Sequence, residues 1–247
     1  MIRLLALREL RSLFSMPSTW FALAALQFVF AWFFLARLDA FLDIQPQLAQ
    51  LANPPSVTIT IAAPLFNTAA LLLMMLAPMF TMRLIAEERR NQTLALLLSA
   101  PLSGRQIVLG KFFGLLAFLT LLTAGVPLML YTLALGTALD HGLMLSNLLG
   151  LLLLTASYVA VGLYVSALTT QPVIAAIGAL AVLVGLWLAD IGAAAEDSPW
   201  HFVSPLNHFQ NFNAGLLDSG DAAFFVLFSA FFLLLAMRRL HNNRIYG

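Results

Sequence analysis

HGLMLSNLLGLLLLTASYVAVGLYVSALTTQPVIAAIGALAVLVGLWLA, residues 141–189, holds no Asp, Glu, Lys or Arg. A helix needs about 20 apolar residues, at about 1.5 Å each, to cross a hydrocarbon core. The stretch is too long for one crossing and right for two. Thr169-Thr170-Gln171-Pro172 divides it, because proline cannot continue a helix and biases its predecessor away from the α region. Spans over 144–168 and 172–190 follow, in a chain that crosses a membrane more than once.

Working outward, charges interrupt the sequence rarely enough to count the other spans between them. Ser12 to Ala36 is charge-free and gives a first span over 18–37. Ile44 to Met82 is also charge-free, but Gln45, Gln47, Gln50, Asn53, Pro54 and Pro55 occupy its start, so the second span is 64–84. A third covers 112–136. The last, 221–238, is Phe-rich and bounded by Asp221 and Arg238. The expected fold is all-α and polytopic, one transmembrane domain over 1–247 with six transmembrane helices. Composition agrees: 62% of the 247 residues are apolar and 9% charged, with mean hydropathy +0.94, against about half and about a quarter in a soluble domain. Such a chain could not hide its apolar surface in water, which excludes a cytosolic enzyme, a nucleic-acid binder and a disordered regulator. Cys is absent, so disulfides, thiol nucleophiles and Cys-ligated metals are excluded.

Of the 12 Lys and Arg, all but Arg37 fall at the termini or in the loops that six spans place with them. By the positive-inside rule both termini are cytoplasmic. The opposite loops carry Asp39, Asp43, Asp140, Asp190, Glu196, Asp197, Asp218 and Asp221. Residues 1–17 read as an amphipathic interfacial helix, with Ile2, Ala6, Leu10, Leu13 and Phe14 on one face and Arg8, Arg11 and Ser12 opposite. Trp20, Trp32, Trp187 and Trp200 fall near span ends, as belt residues do. Gly178 and Gly185, with Ala175, Ala179 and Ala181, suggest close helix packing in the fifth span.

The densest polar cluster is the loop 85–106. Glu87, Glu88, Arg90 and Asn91, then Leu94, Leu97 and Leu98, recur at i+3 and i+4, so the second span is expected to continue as a cytoplasmic helix. Its leucines form an apolar ridge outside the bilayer that needs a cover. A charged cap in the headgroups would explain the charges but not the LLLSAPLSGRQ segment that follows; a docking surface for a cytosolic partner explains both.

Glu87-Glu88 with Thr93, the leucine run, Ser99-Ala100-Pro101 and the closing Gly110-Lys111 resemble the inner-loop signature of ABC-2 type transporter permeases. Arg8-Glu9-Leu10-Arg11-Ser12 with Ser15-Met16-Pro17 fits the same family. So does Val203-Ser204-Pro205-Leu206-Asn207-His208-Phe209-Gln210-Asn211-Phe212. Together they are most similar to the gliding-motility-type (GldF-like) subfamily. One departure is Gln92, where a Gly commonly precedes the Thr. The resemblance implies an inner coupling helix between the second and third spans and an outer helical hairpin, over 193–220, between the fifth and sixth. It also implies a bacterial cytoplasmic (inner) membrane location, a second permease subunit and an auxiliary membrane protein. ATP and Mg would sit on a cytosolic ABC ATPase dimer, this chain binding no cofactor and catalysing nothing itself. The implied ATPase-coupling interface is Glu87, Glu88, Arg89, Arg90, Thr93, Leu94, Leu97, Pro101 and Arg105; the implied outer gate or cap is Trp200, Pro205, His208, Phe209 and Phe212.

Gly104 to Lys111 superficially suggests a phosphate loop, but the spacing is one residue too long and Phe112 stands where a Mg-binding Ser or Thr belongs. His141, His201 and His208 show no HExxH or paired spacing, and interfacial hydrogen bonding accounts for them. Ser204, His208 and Asp218 lack the context of a catalytic triad. Rival classes are a secondary transporter, which should carry ionisable groups at mid-membrane depth, an intramembrane enzyme, and a membrane anchor for an ATPase complex without transport. The apolar composition suits export of a hydrophobic or polymeric substrate.

Overall fold

Lipid offers the backbone no hydrogen-bond partners, so a chain this apolar must satisfy its amides internally. The computed structural model describes residues 1–48, 56–93, 103–137, 139–192 and 199–246, and among them it contains helices and no strand. In chain order these are α1 (Ile2–Phe14), α2 (Pro17–Leu48), α3 (Thr58–Arg90), α4 (Gly104–Thr123), α5 (Gly125–Thr132), α6 (His141–Leu168), α7 (Pro172–Ile191), α8 (Pro199–Val203), α9 (Pro205–Asn213) and α10 (Ser219–Tyr246). Six stretches are long and apolar enough to cross a membrane: α2, α3, α4 with α5, α6, α7 and α10.

The bundle is built around α6, the most buried span, which packs on α10, α3, α7, α9 and α4. Phe66, Phe118, Tyr158 and Phe225 fill its centre. The spans α2 and α7 are the least covered. In α7, Ala175 and Ala179 are buried and Gly178 meets Val165 of α6, but a side chain at Gly185 would meet open space. Gly185 therefore takes no part in the close packing expected of it.

Several helices extend beyond the apolar runs that mark them. Helix α2 continues past Arg37, Asp39 and Asp43; α4 begins at Gly104, where the third span was expected from 112. The start of α4 is fixed by a capping box, the Ser103 hydroxyl accepting from the Gln106 amide while the Gln106 side chain accepts from the Ser103 amide. Hydropathy finds the part of a helix that sits in hydrocarbon, whereas caps set where it ends.

Helix α3 widens to π geometry at Thr58–Ala62 and again at Arg83–Glu87. The second widening follows Pro78, which has no amide to give its own helix. Ser166 of α6 repairs it: its hydroxyl accepts from the Ile85 and Ala86 amides at 3.3 and 3.0 Å and donates to the Met82 carbonyl at 3.2 Å. One turn away, Gly162 lets α6 close against Thr81. The α4–α5 break has a similar origin. Pro127 interrupts the ladder, and Gln27 of α2, packed against Gly125, donates to the Leu122 carbonyl beside the break at 2.7 Å.

Candidate functional site

Apart from Arg37, the lysine and arginines of the described chain collect at one end of the bundle, and three elements converge there. Helix α1 lies along α4, with Gly110 and Gly114 at the contact. A Cβ on Gly110 would fall 2.5 Å from the Leu5 Cβ, and one on Gly114 would fall 2.8 Å from the Glu9 Cβ and 2.9 Å from the Ala6 carbonyl oxygen. Only glycine allows this approach. The face holding Leu10, Leu13 and Phe14, expected to lie on the inner leaflet, is packed on protein instead. Phe14 meets Phe118 of α4 edge-on at 5.3 Å, and the outward apolar residues are Leu4 and Leu7.

Between the two glycines Lys111 turns inward and is 3% exposed. Its Nζ donates to Glu9 Oε1 of α1 at 2.7 Å and to Glu88 Oε1 of α3 at 2.6 Å. Charge-assisted contacts this short are among the stronger polar interactions available to a protein. Both carboxylates are mostly covered, and the second Glu88 oxygen is shut from solvent without a partner among the described residues. One ammonium thus ties α1, the end of α3 and the start of α4 into a single block. Its pieces cannot separate without uncovering charge, which makes the block a stiff link between the end of α3 and the spans.

The residues expected at the coupling surface distribute differently from a single helical face. Glu88 points into the block rather than outward. Helix α3 continues beyond the expected span as far as Arg90; Asn91 and Gln92 then form a turn, and Gln92 has φ +57°, a left-handed backbone that favours glycine. The position where the sequence departs from its family pattern is thus the one whose backbone suits a Gly. Thr93 folds back, its hydroxyl donating to the Glu88 carbonyl at 3.2 Å. Arg89 and Arg90 line a cavity with Gln92 and the start of α7. Arg105 lines another with Met237, Arg238 and His241. Leu94, Leu97, Leu98 and Pro101 lie outside the described residues. Lys111 and Glu9 carry the site, and neither was assigned to it from sequence.

At the opposite end, the segment between α7 and α10 forms α8 and α9. Ser204 caps α9, accepting from the Asn207 amide, and Gly215 at φ +85° reverses the chain after it. Of the expected cap residues, Pro205, Phe209 and Phe212 are buried and His208 packs with them, while Trp200 stays 54% exposed. Gly150 of α6 makes room for Phe212, whose Cβ would lie 2.5 Å from a Cβ there. His208 contacts Asp221 (Nδ1 to Oδ1, 2.6 Å) and the Phe202 carbonyl (3.1 Å), and its ring stacks on Phe224 at 3.9 Å. Asn211 donates to the other Asp221 oxygen at 2.8 Å. His201 makes a second such pair with Asp190 at 2.6 Å. These histidines serve as interfacial hydrogen-bonding groups that fasten the segment to α7 and α10.

Residues 4–240 match the family described as ABC-2 family transporter protein. No curated protein matches the chain.

Proposed function

The chain belongs to the ABC-2 family of transporter proteins, and from that premise we propose that it is the permease subunit of an ATP-driven exporter coupled to a separate cytosolic ATPase dimer. The observation that carries the reading is the block at the cationic end of a multi-pass bundle, where Lys111 holds Glu9 and Glu88. A motor beneath a membrane needs a stiff lever, and residues 94–102 connect directly into this one. Lys111 and the arginines gathered with it support a cytoplasmic location for this end, in a bacterial inner membrane. The inner-loop, N-terminal and outer-segment motifs, taken together, support the gliding-motility-type subfamily.

In this reading ATP and Mg are held by the motor. Leu94, Leu97 and Pro101 enter an apolar groove on it, and Glu87 and Arg105 flank them. Movement of the loop is passed by Glu88 to Lys111, and so to α1 and α4 together. A second permease subunit covers the outward face of α2, where Phe21, Phe28, Trp32 and Leu35 are exposed; an auxiliary membrane protein completes the assembly. The segment α8–α9 interlocks with α6 and α10, which supports a cap that moves with those helices rather than a free flap. The substrate is hydrophobic or polymeric.

The test is affinity purification of the tagged chain from its native membrane, with ATP hydrolysis and transport measured on the complex in liposomes. The reading expects a stoichiometric ATPase whose turnover drives transport. A bound ATPase that turns over while nothing crosses the membrane would make the chain an anchor, and absence of any ATPase would remove the reading.

A further inference from the structure

The cavity at the end of α3 has about 580 Å³ of space, within the range of small-ligand sites. Arg89 and Arg90 form one wall, and Gln92, Thr170 and Gln171 supply polar groups around it. No carboxylate lines it among the described residues. Neither arginine has an ion-pair partner among the described residues, since Glu88, the nearest acid in sequence, is committed to Lys111. Arg89 Nη2 is closed off from solvent and has no hydrogen-bond partner among the described residues. Burial, and then the positive charge of Arg239 of α10, lower the pKa of the Arg89 guanidinium. A concave site with two unneutralised guanidinium groups is built for an anion that accepts several hydrogen bonds at once, which describes a phosphate.

The other wall decides what kind of phosphate. Pro172 and Val173 begin α7 at the cavity rim. From there an apolar stripe runs along α7 away from the charges: Val173, Ile174 and Ile177 are 65%, 53% and 63% exposed. It continues at the same four-residue spacing through Ala181, also exposed. A soluble phosphate, or a carboxylate on a partner protein, would use the arginines and leave this stripe bare. A glycerophospholipid would use both, with its head in the cavity and an acyl chain along α7. We propose that this cavity is a binding site for an anionic phospholipid of the leaflet at the cationic end. The site needs no ATPase and stands whether or not the chain works as an exporter.

Native mass spectrometry of the purified chain in detergent tests the proposal, with dioleoyl phosphatidylglycerol, dioleoyl phosphatidylcholine and water-soluble glycerol 1-phosphate as probes. The chain should retain phosphatidylglycerol over phosphatidylcholine. Arg89→Gln with Arg90→Gln should cut that retention about 30-fold, at about fivefold per arginine near an anionic lipid surface. Removing equal charge from exposed α1, by Arg3→Gln with Arg11→Gln, should leave it within about twofold. Gln171→Leu gives an independent reading, because this exposed side chain caps nothing in the helix it precedes; it should lower retention severalfold with no loss of fold. Glycerol 1-phosphate should bind far more weakly than the lipid. The proposal is overturned if the α1 pair loses as much lipid as the cavity pair, or if Gln171→Leu has no effect. Equal binding of glycerol 1-phosphate would assign the cavity to a soluble phosphate instead and overturn the lipid.

Discussion

Replacing Lys111 by Met leaves the carboxylates of Glu9 and Glu88 facing one another across the space the ammonium occupied. Each now lies 2.6–2.7 Å from that single cation, in side chains 20% and 25% exposed. Removing one partner from a buried ion pair costs about 3–5 kcal/mol, because the remaining charge stays buried. Partial exposure of the two glutamates puts this case near the lower end, at about 3 kcal/mol. For a chain of this length that is roughly 6–12 °C of melting temperature. Glu9→Gln or Glu88→Gln alone leaves Lys111 one partner and should cost less. The informative variant is the neutral triple, Lys111→Met with Glu9→Gln and Glu88→Gln, which keeps the shape and removes every charge. It should recover most of the lost stability. Thermal unfolding in detergent, followed by tryptophan fluorescence, compares the four variants with the wild type. The reasoning fails if Lys111→Met melts with the wild type, or if the triple variant melts no higher than Lys111→Met.

Three further outcomes are expected in the same assay. Gly114→Ala places a methyl against the Ala6 backbone, which cannot rotate away, and should lower stability by about 1–3 kcal/mol; an unchanged melt would mean α1 is not held at that distance. Gln92→Gly relieves a left-handed backbone at an exposed turn and should raise stability by about 1 kcal/mol, so a lower melting temperature would contradict the turn. Phe209→Ala empties a fully buried site and should cost about 3–5 kcal/mol, whereas exposed Trp200→Ala should change stability by no more than about 0.5 kcal/mol; similar costs would place the two rings in similar surroundings.

The spans were legible because hydrocarbon imposes its pattern on sequence directly: a charge-free run is a crossing, and Thr169 to Pro172 breaks one run into two. The block at the cationic end was not. Glu9 and Lys111 are 102 positions apart, and a hydropathy reading treats Lys111 as the edge of a span rather than a residue two turns inside a helix. The local signal was present. Ser103-Gly104-Arg105-Gln106 is a capping box that starts α4 early, and glycines at 110 and 114 flanking a lysine mark a face where another helix comes close. The π turn at Arg83–Glu87 had no such signal, since the hydroxyl that stabilises it comes from Ser166 on another span. The aromatics of the outer segment were visible as residues that water would not keep. Which of them turn inward depended on Gly150 and on where Ser204 caps α9, so Trp200 could not be told from Phe209 by composition.

The most direct test of the account is vanadate-sensitive ATP hydrolysis by the ATPase that co-purifies with the chain, measured in nanodiscs with the wild type and with Leu97→Asp. The account predicts turnover that depends on the permease and falls sharply when the apolar contact is lost, burial of such a ridge contributing about 25 cal/mol per Å². An ATPase that hydrolyses equally well with wild-type chain, with Leu97→Asp and with no chain at all would contradict it.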